Sequence, residues 1–172
     1  MSRSPGGGPA VPPDHPSHPT RLHLTQPWVG RIDHARPLLD GTDDGWLGRR
    51  IDEGGDGSRR YETDLVLPIR EQATHMVLRK AAVVEIGPLE MVPDGFEAQV
   101  SWRSANLAPL FPVFVGRLSV APEMLELDGY YAPPGGEVGV ILDRALLNIA
   151  ARGTARWFLT KVAETLEHAP DR

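Results

Sequence analysis

The chain has 172 residues, 41% of them apolar, with a net charge of −5 and no cysteine. That length accommodates one ordinary domain plus a tail. The charge gives no overall attraction to nucleic acid or to an anionic membrane, and the missing thiols exclude disulfides, thiolate nucleophiles and cysteine-held zinc or iron–sulfur clusters.

Residues 1–20 are rich in proline and glycine and carry no aromatic side chain. Such a segment buries too little surface to offset its ordering entropy, so it is expected to be a disordered tail. His15, His18 and His23 lie in or beside it, and a solvated tail accounts for them better than a metal site, because prolines hold the chain extended. The N-terminus has no apolar segment of a secretory signal. No stretch reaches the roughly 18 consecutive apolar residues of a spanning helix. The expectation is a cytoplasmic protein without stable membrane insertion.

Residues 21–58 hold Trp28, Ile32, Leu38, Leu39, Trp46, Leu47 and Ile51 among prolines and glycines. They read as a loosely structured arm that docks on a core and contains at most one short strand. "DGTDDG" and "DEGGDG" share only composition with calcium loops, lacking the alternating oxygen ligands and closing glutamate.

From residue 59 onward the pattern is that of a folded domain, 59–168. "RRYETDLVLPI" alternates, with Tyr61, Thr63, Leu65, Leu67 and Ile69 on one side, and "MVLRKAAVVEIG" is a second strand. In "GFEAQVSWRS", Phe96, Ala98, Val100 and Trp102 face one way and Glu97, Gln99, Ser101 and Arg103 the other. The "PDG" before it is hairpin chemistry, Gly95 supplying a positive φ. "LFPVFVGRLSV" and "EMLELDGYYA" complete an antiparallel meander, with a tight turn at "APE" between them. Pro133 and Pro134 end the last strand, Gly135 and Gly136 allow a sharp reversal, and Glu137 suits a helix N-terminus. Ile141, Leu142, Ala145, Leu146, Ile149, Phe158, Val162 and Leu166 then recur at helical spacing, with Gly153 inside the run. The predicted class is α+β: an antiparallel sheet covered by one long C-terminal helix that lies back along it.

The stretches "WRSANLAPLFPVFVGRLSV", "LELDGYYAPPGG" and "DRALLNIAARGTARWFL" resemble a bacterial branch of the START-like (SRPBCC) helix-grip superfamily, which includes polyketide cyclases and lipid-transfer domains. Full helix-grip domains carry two short helices between their first and second strands. Here only about seven residues separate the strands taken as first and second, so those helices are expected to be shortened or absent. The resemblance implies a small apolar ligand bound between sheet and helix, with Trp102, Phe114, Arg117, Tyr131, Leu142 and Trp157 as the candidate ligand-binding residues. From the residues themselves, no cofactor and no metal are expected.

Each candidate also has a plainer reading. A tryptophan on the apolar face of a strand is ordinarily core, and an arginine such as Arg117 reaches a sheet edge. Tyr131 shares parity with Leu125 and Leu127 and so faces the helix, where a buried phenol needs a hydrogen-bond partner. An alternative is a cyclase or dehydratase whose proton-moving groups, Arg117, Tyr131 and His75, converge on one cavity. A third reading takes Leu146, Leu147, Trp157 and Phe158 as too many apolar residues for one sheet, the surplus forming a homodimer or binding a partner. The chain holds no phosphate loop, nucleophile elbow or paired metal-ligand histidines, and its helical basic residues lack the interleaved aromatics of a nucleic-acid surface.

Overall fold

A computed structural model describes residues 19–40, 46–53, 57–71, 74–105, 113–132 and 144–168. In chain order the elements are β1 (Thr20–Pro27), α1 (Ile32–Asp40), β2 (Arg49–Glu53), β3 (Arg59–Glu71), β4 (Thr74–Ile86), β5 (Glu90–Val92), β6 (Gly95–Ser104), β7 (Val113–Ala121), β8 (Met124–Ala132) and α2 (Arg144–Glu167). One eight-stranded sheet runs β1-β8-β7-β6-β4-β3-β2, with β5 paired to β6, and every pairing is antiparallel.

The alternation read in the sequence sets the two faces. On β6, Phe96, Ala98, Val100 and Trp102 are buried; on β8, Leu125, Leu127 and Tyr131 are. These side chains form the inner face, because successive residues of a strand point to opposite sides. The turn chemistry also holds. Gly95 opens β6 at φ 148, and the β7–β8 turn at Pro122 and Glu123 places Glu123 at φ 62.

α2 covers the inner face as a 24-residue helix that runs unbroken through Gly153. Leu147, Ala151, Thr154, Ala155, Phe158, Leu159, Val162, Ala163 and Leu166 are buried, the three- and four-residue spacing of one helical stripe. The helix approaches β3 on one side and β1 and β8 on the other most closely. Over the middle of the sheet the distance is bridged by large aromatics, so the sheet curls around the helix. No helix among the described residues is long and apolar enough to cross a membrane.

The segment read as a loose arm is ordered differently from that expectation. Thr20–Pro27 is an edge strand of the sheet, pairing with β8 along its whole length, and Leu22 is buried. Residues 32–40 form α1 although Pro37 lies inside it. Ala35 and Leu39 bury one side of α1 against the core, and that packing offsets the hydrogen bond the proline cannot make. The strand beginning at Arg59 is therefore third, not first, and the sheet takes in residues from Thr20 onward. Among the described residues, the connection between the first and second strands carries one helix of nine residues. The proline–glycine joint at 133–136, Glu137, Ile141, Leu142, Asp143, His15 and His18 lie outside the described residues, as does the side chain of His75.

Candidate functional site

The two ends of the sheet are built differently. At the end where β1 finishes, Trp28 is buried beneath the β7–β8 turn. Its Nε1–H donates to the carbonyl of Ala121 at 2.9 Å, and its backbone N–H donates to the carbonyl of Glu123 at 3.2 Å. The C-terminus of α2 arrives at the same end, where the backbone N–H of Val29 donates to Glu167 at 3.0 Å. α1 then packs beside α2, fixed by Arg59. The guanidinium of Arg59 is buried, donates to the carbonyls of Leu39 and Gly87, and lies 3.3 Å from the Asp40 carboxylate. Every strong donor of Trp28 therefore has a partner, and the end is closed.

Toward the other end of β6, β7 and β8 a row of directly facing residues crosses the inner face: Tyr61, Val84, Trp102, Phe114 and Tyr131, one each from β3, β4, β6, β7 and β8, continued by Arg50 on β2 and Thr20 on β1. Facing residues of adjacent strands share a side, so this row is one continuous surface. Trp102 stacks on Phe114 with ring centroids 4.1 Å apart, and the ring of Phe158 on α2 lies 5.6 Å from Trp102. The flat stack depends on two glycines. Gly116 and Gly129 face each other across β7 and β8, and a Cβ on Gly116 would come within 2.5 Å of both the Phe114 ring and the Asp128 carbonyl. Bare backbone there is what lets Phe114 lie down along the sheet.

Beyond this row lie the end of β6, the start of β7 and the end of β8, while β3 and β4 run on past it; α2 also begins toward this end, which Trp28 and α1 do not cover. Two polar groups in the interior by this row lack a protein partner. Trp102 is 1% exposed and its Nε1 has no hydrogen bond; Thr154 on α2 is 0% exposed and its Oγ1 has none. Leaving such a group unsatisfied costs about 1–3 kcal/mol. A helical threonine ordinarily returns its hydroxyl to the carbonyl one turn back, as Thr165 does to Lys161 at 2.8 Å. Thr154 does not. At the rim of the row the Trp46 ring stands edge-on to Tyr61 at 6.0 Å, its Nε1 also without a partner.

Of the six candidate residues, the structure brings together Trp102, Phe114 and Tyr131. Tyr131 is 4% exposed and faces inward, as its parity implied, whereas Tyr130 is exposed. Arg117 belongs to the other face. Its neighbours of the same parity, Val113 and Val115, look outward, and Arg117 pairs with Glu97 at 3.0 Å beside an outer-face groove of about 140 Å³ with Glu90 and Gln99. Arg117 and Tyr131 thus lie on opposite faces, and the convergent proton-moving set of the cyclase reading is not assembled by these two residues. Trp157 is half-buried at the margin of the core, while its neighbour Phe158 contacts Trp102. Leu142 lies outside the described residues.

Sequence reasoning passed over Thr154 and the two facing glycines. The signal for Thr154 was present, a hydroxyl on the apolar stripe four residues before Phe158. The glycines gave none, because their role depends on a ring from the neighbouring position.

The helix surplus is partly covered within the chain: Leu147 and Phe158 are buried, and α1 lies against α2. His23 sits on the outer face, 3.6 Å from Glu126 and 3.9 Å from Asp128. Among the described residues no group of three or more histidine or acidic side chains is placed to hold a metal ion. No protein-family model matches the chain, and no curated protein matches it.

Proposed function

We propose that the chain binds a small, largely apolar molecule between the sheet and α2, at the end beyond the Tyr61–Tyr131 row. The observation that carries this reading is the pair of buried, unpartnered polar groups, Trp102 Nε1 and Thr154 Oγ1, set in an aromatic surface at the end without the Trp28–α1 closure. Ligand sites are characteristically apolar with a few convergent polar groups. A core that served packing alone would hold phenylalanine and valine at these positions more stably.

A START-like helix-grip domain, bound to a ligand without chemistry, is the corresponding family reading. It draws support from a sheet that curls around one C-terminal helix and from a helix inserted between the first and second strands.

Titration of the full chain with Nile red, a neutral solvatochromic dye, tests the proposal alongside native mass spectrometry of the purified protein. Saturable binding at one dye per chain, with a blue-shifted emission, is expected. No dye binding together with no apolar adduct would refute it.

A further inference from the structure

Resting on that ligand-binding reading, we propose that Trp102 and Thr154 form a two-point anchor for a neutral hydrogen-bond acceptor on the ligand, the carbonyl oxygen of a ketone, ester or lactone. The two groups come from facing elements, β6 and α2, and Phe158 links them. Its ring lies 5.6 Å from that of Trp102. Thr154 precedes Phe158 by four residues, about 6 Å along the helix. Because the C-terminus of α2 lies by Val29 at the closed end, that step leads toward the end without the Trp28–α1 closure.

The donor inventory fixes the polarity of what they would hold. An indole N–H only donates, and a threonine hydroxyl can donate. A carbonyl oxygen has two lone pairs and can accept from both. The charge state follows from the surroundings. Phe114 and Phe158 beside Trp102 and Ala155 beside Thr154 carry no charge, and the arginine of the row, Arg50 opposite Tyr61, lies three strands away from Trp102, about 14 Å between backbones. A carboxylate or phosphate at the anchor would therefore be a buried charge without an adjacent counterion. The anchor therefore selects a neutral carbonyl compound over a fatty acid or a phosphorylated metabolite.

Saturation-transfer NMR on the full chain with acetonaphthone, ethylnaphthalene and naphthoate tests this, the three probes sharing one ring system. The expected order is acetonaphthone tighter than ethylnaphthalene by roughly tenfold, the worth of one or two neutral hydrogen bonds. Naphthoate should bind weakest. Thr154→Val, which keeps shape and removes the hydroxyl, should erase much of the ketone preference while leaving ethylnaphthalene unchanged, and should raise the melting temperature of the ligand-free protein. Thr154→Ser should keep the preference. Trp102→Phe should also reduce it; if that variant does not fold, the threonine pair decides alone. Equal binding of acetonaphthone and ethylnaphthalene by the unaltered protein overturns the anchor and leaves apolar binding standing, and this is the result an internal water bridging the two groups would give. A lower melting temperature for Thr154→Val also overturns it, since the hydroxyl would then be bonded within the protein. Absence of binding by all three probes and by Nile red overturns the underlying reading as well.

Discussion

Trp28 and Trp102 are 2% and 1% exposed, lie toward opposite ends of the same sheet, and differ in one respect. The indole N–H of Trp28 has the Ala121 carbonyl, whereas that of Trp102 has nothing from the protein. At the end of Trp28 the chain supplies a turn carbonyl, the α2 terminus, and an arginine that bonds two further carbonyls through its terminal nitrogens, its Nε alone being buried without a partner. Around Trp102 the neighbours are rings and small aliphatics. Burial alone thus says little about what a tryptophan does; whether its N–H is answered separates an end that is finished by the fold from one that is left for something else.

The largest effect should come from the closed end. Arg59→Met leaves the Leu39 and Gly87 carbonyls short of a donor and should cost about 3 kcal/mol in urea denaturation. A loss near zero would mean that α1 is not secured by Arg59, and the contrast between the ends would weaken. Gly116→Ala should cost about 2 kcal/mol by driving a methyl into the Phe114 ring and the facing backbone, and the near-ultraviolet dichroism of the Trp102–Phe114 stack should change with it.

The direct comparison is Trp28→Phe against Trp102→Phe. Both shrink a buried ring, so their packing losses are similar, but only the first strips a buried carbonyl of its donor. Trp28→Phe should be the more destabilising by about 1 kcal/mol; the reverse order would break the distinction drawn here. Thr154→Val should stabilise the ligand-free chain by up to about 1 kcal/mol, whereas Thr165→Val, which loses the bond to Lys161, should not stabilise it.

The smallest effect lies on the outer face. The bidentate hydrogen bond from Arg21, at 3.1 Å through both nitrogens, holds the Asp128 carboxyl below its ordinary value of 3.8. A depressed carboxyl contributes stability above its unfolded pKa, and the contribution is lost as pH falls through the lower folded value. The melting temperatures of the unaltered protein and Asp128→Asn should therefore differ slightly at neutral pH and converge in acid below 3.8. Because the pair lies at the surface, salt should shrink the difference.

Much of the fold was legible because it is periodic. The inward set Phe96, Ala98, Val100 and Trp102 follows from alternation, the φ of Gly95 from hairpin chemistry, and the buried stripe of α2 from helical spacing. β1 was not legible. "TRLHLTQP" offers only Leu22 and Leu24 to the core, and it forms because β8, about a hundred residues later, supplies the ladder. α1 was hidden by Pro37, whose local cost is offset by burial of Ala35 and Leu39. Within the site, parity correctly turned Tyr131 inward. The same parity, applied to Phe114, places Arg117 outward, and only the sheet made that opposition count.

By itself, then, the sequence determined which residues could share a face, since that depends on a repeat of two along a strand and 3.6 along a helix. The tertiary structure decided which faces meet, which end Trp28 and α1 close, and which buried N–H finds a carbonyl. Those outcomes rest on contacts such as Trp28 to Ala121, 93 residues apart, and no local pattern encodes a distance that only folding brings to 2.9 Å.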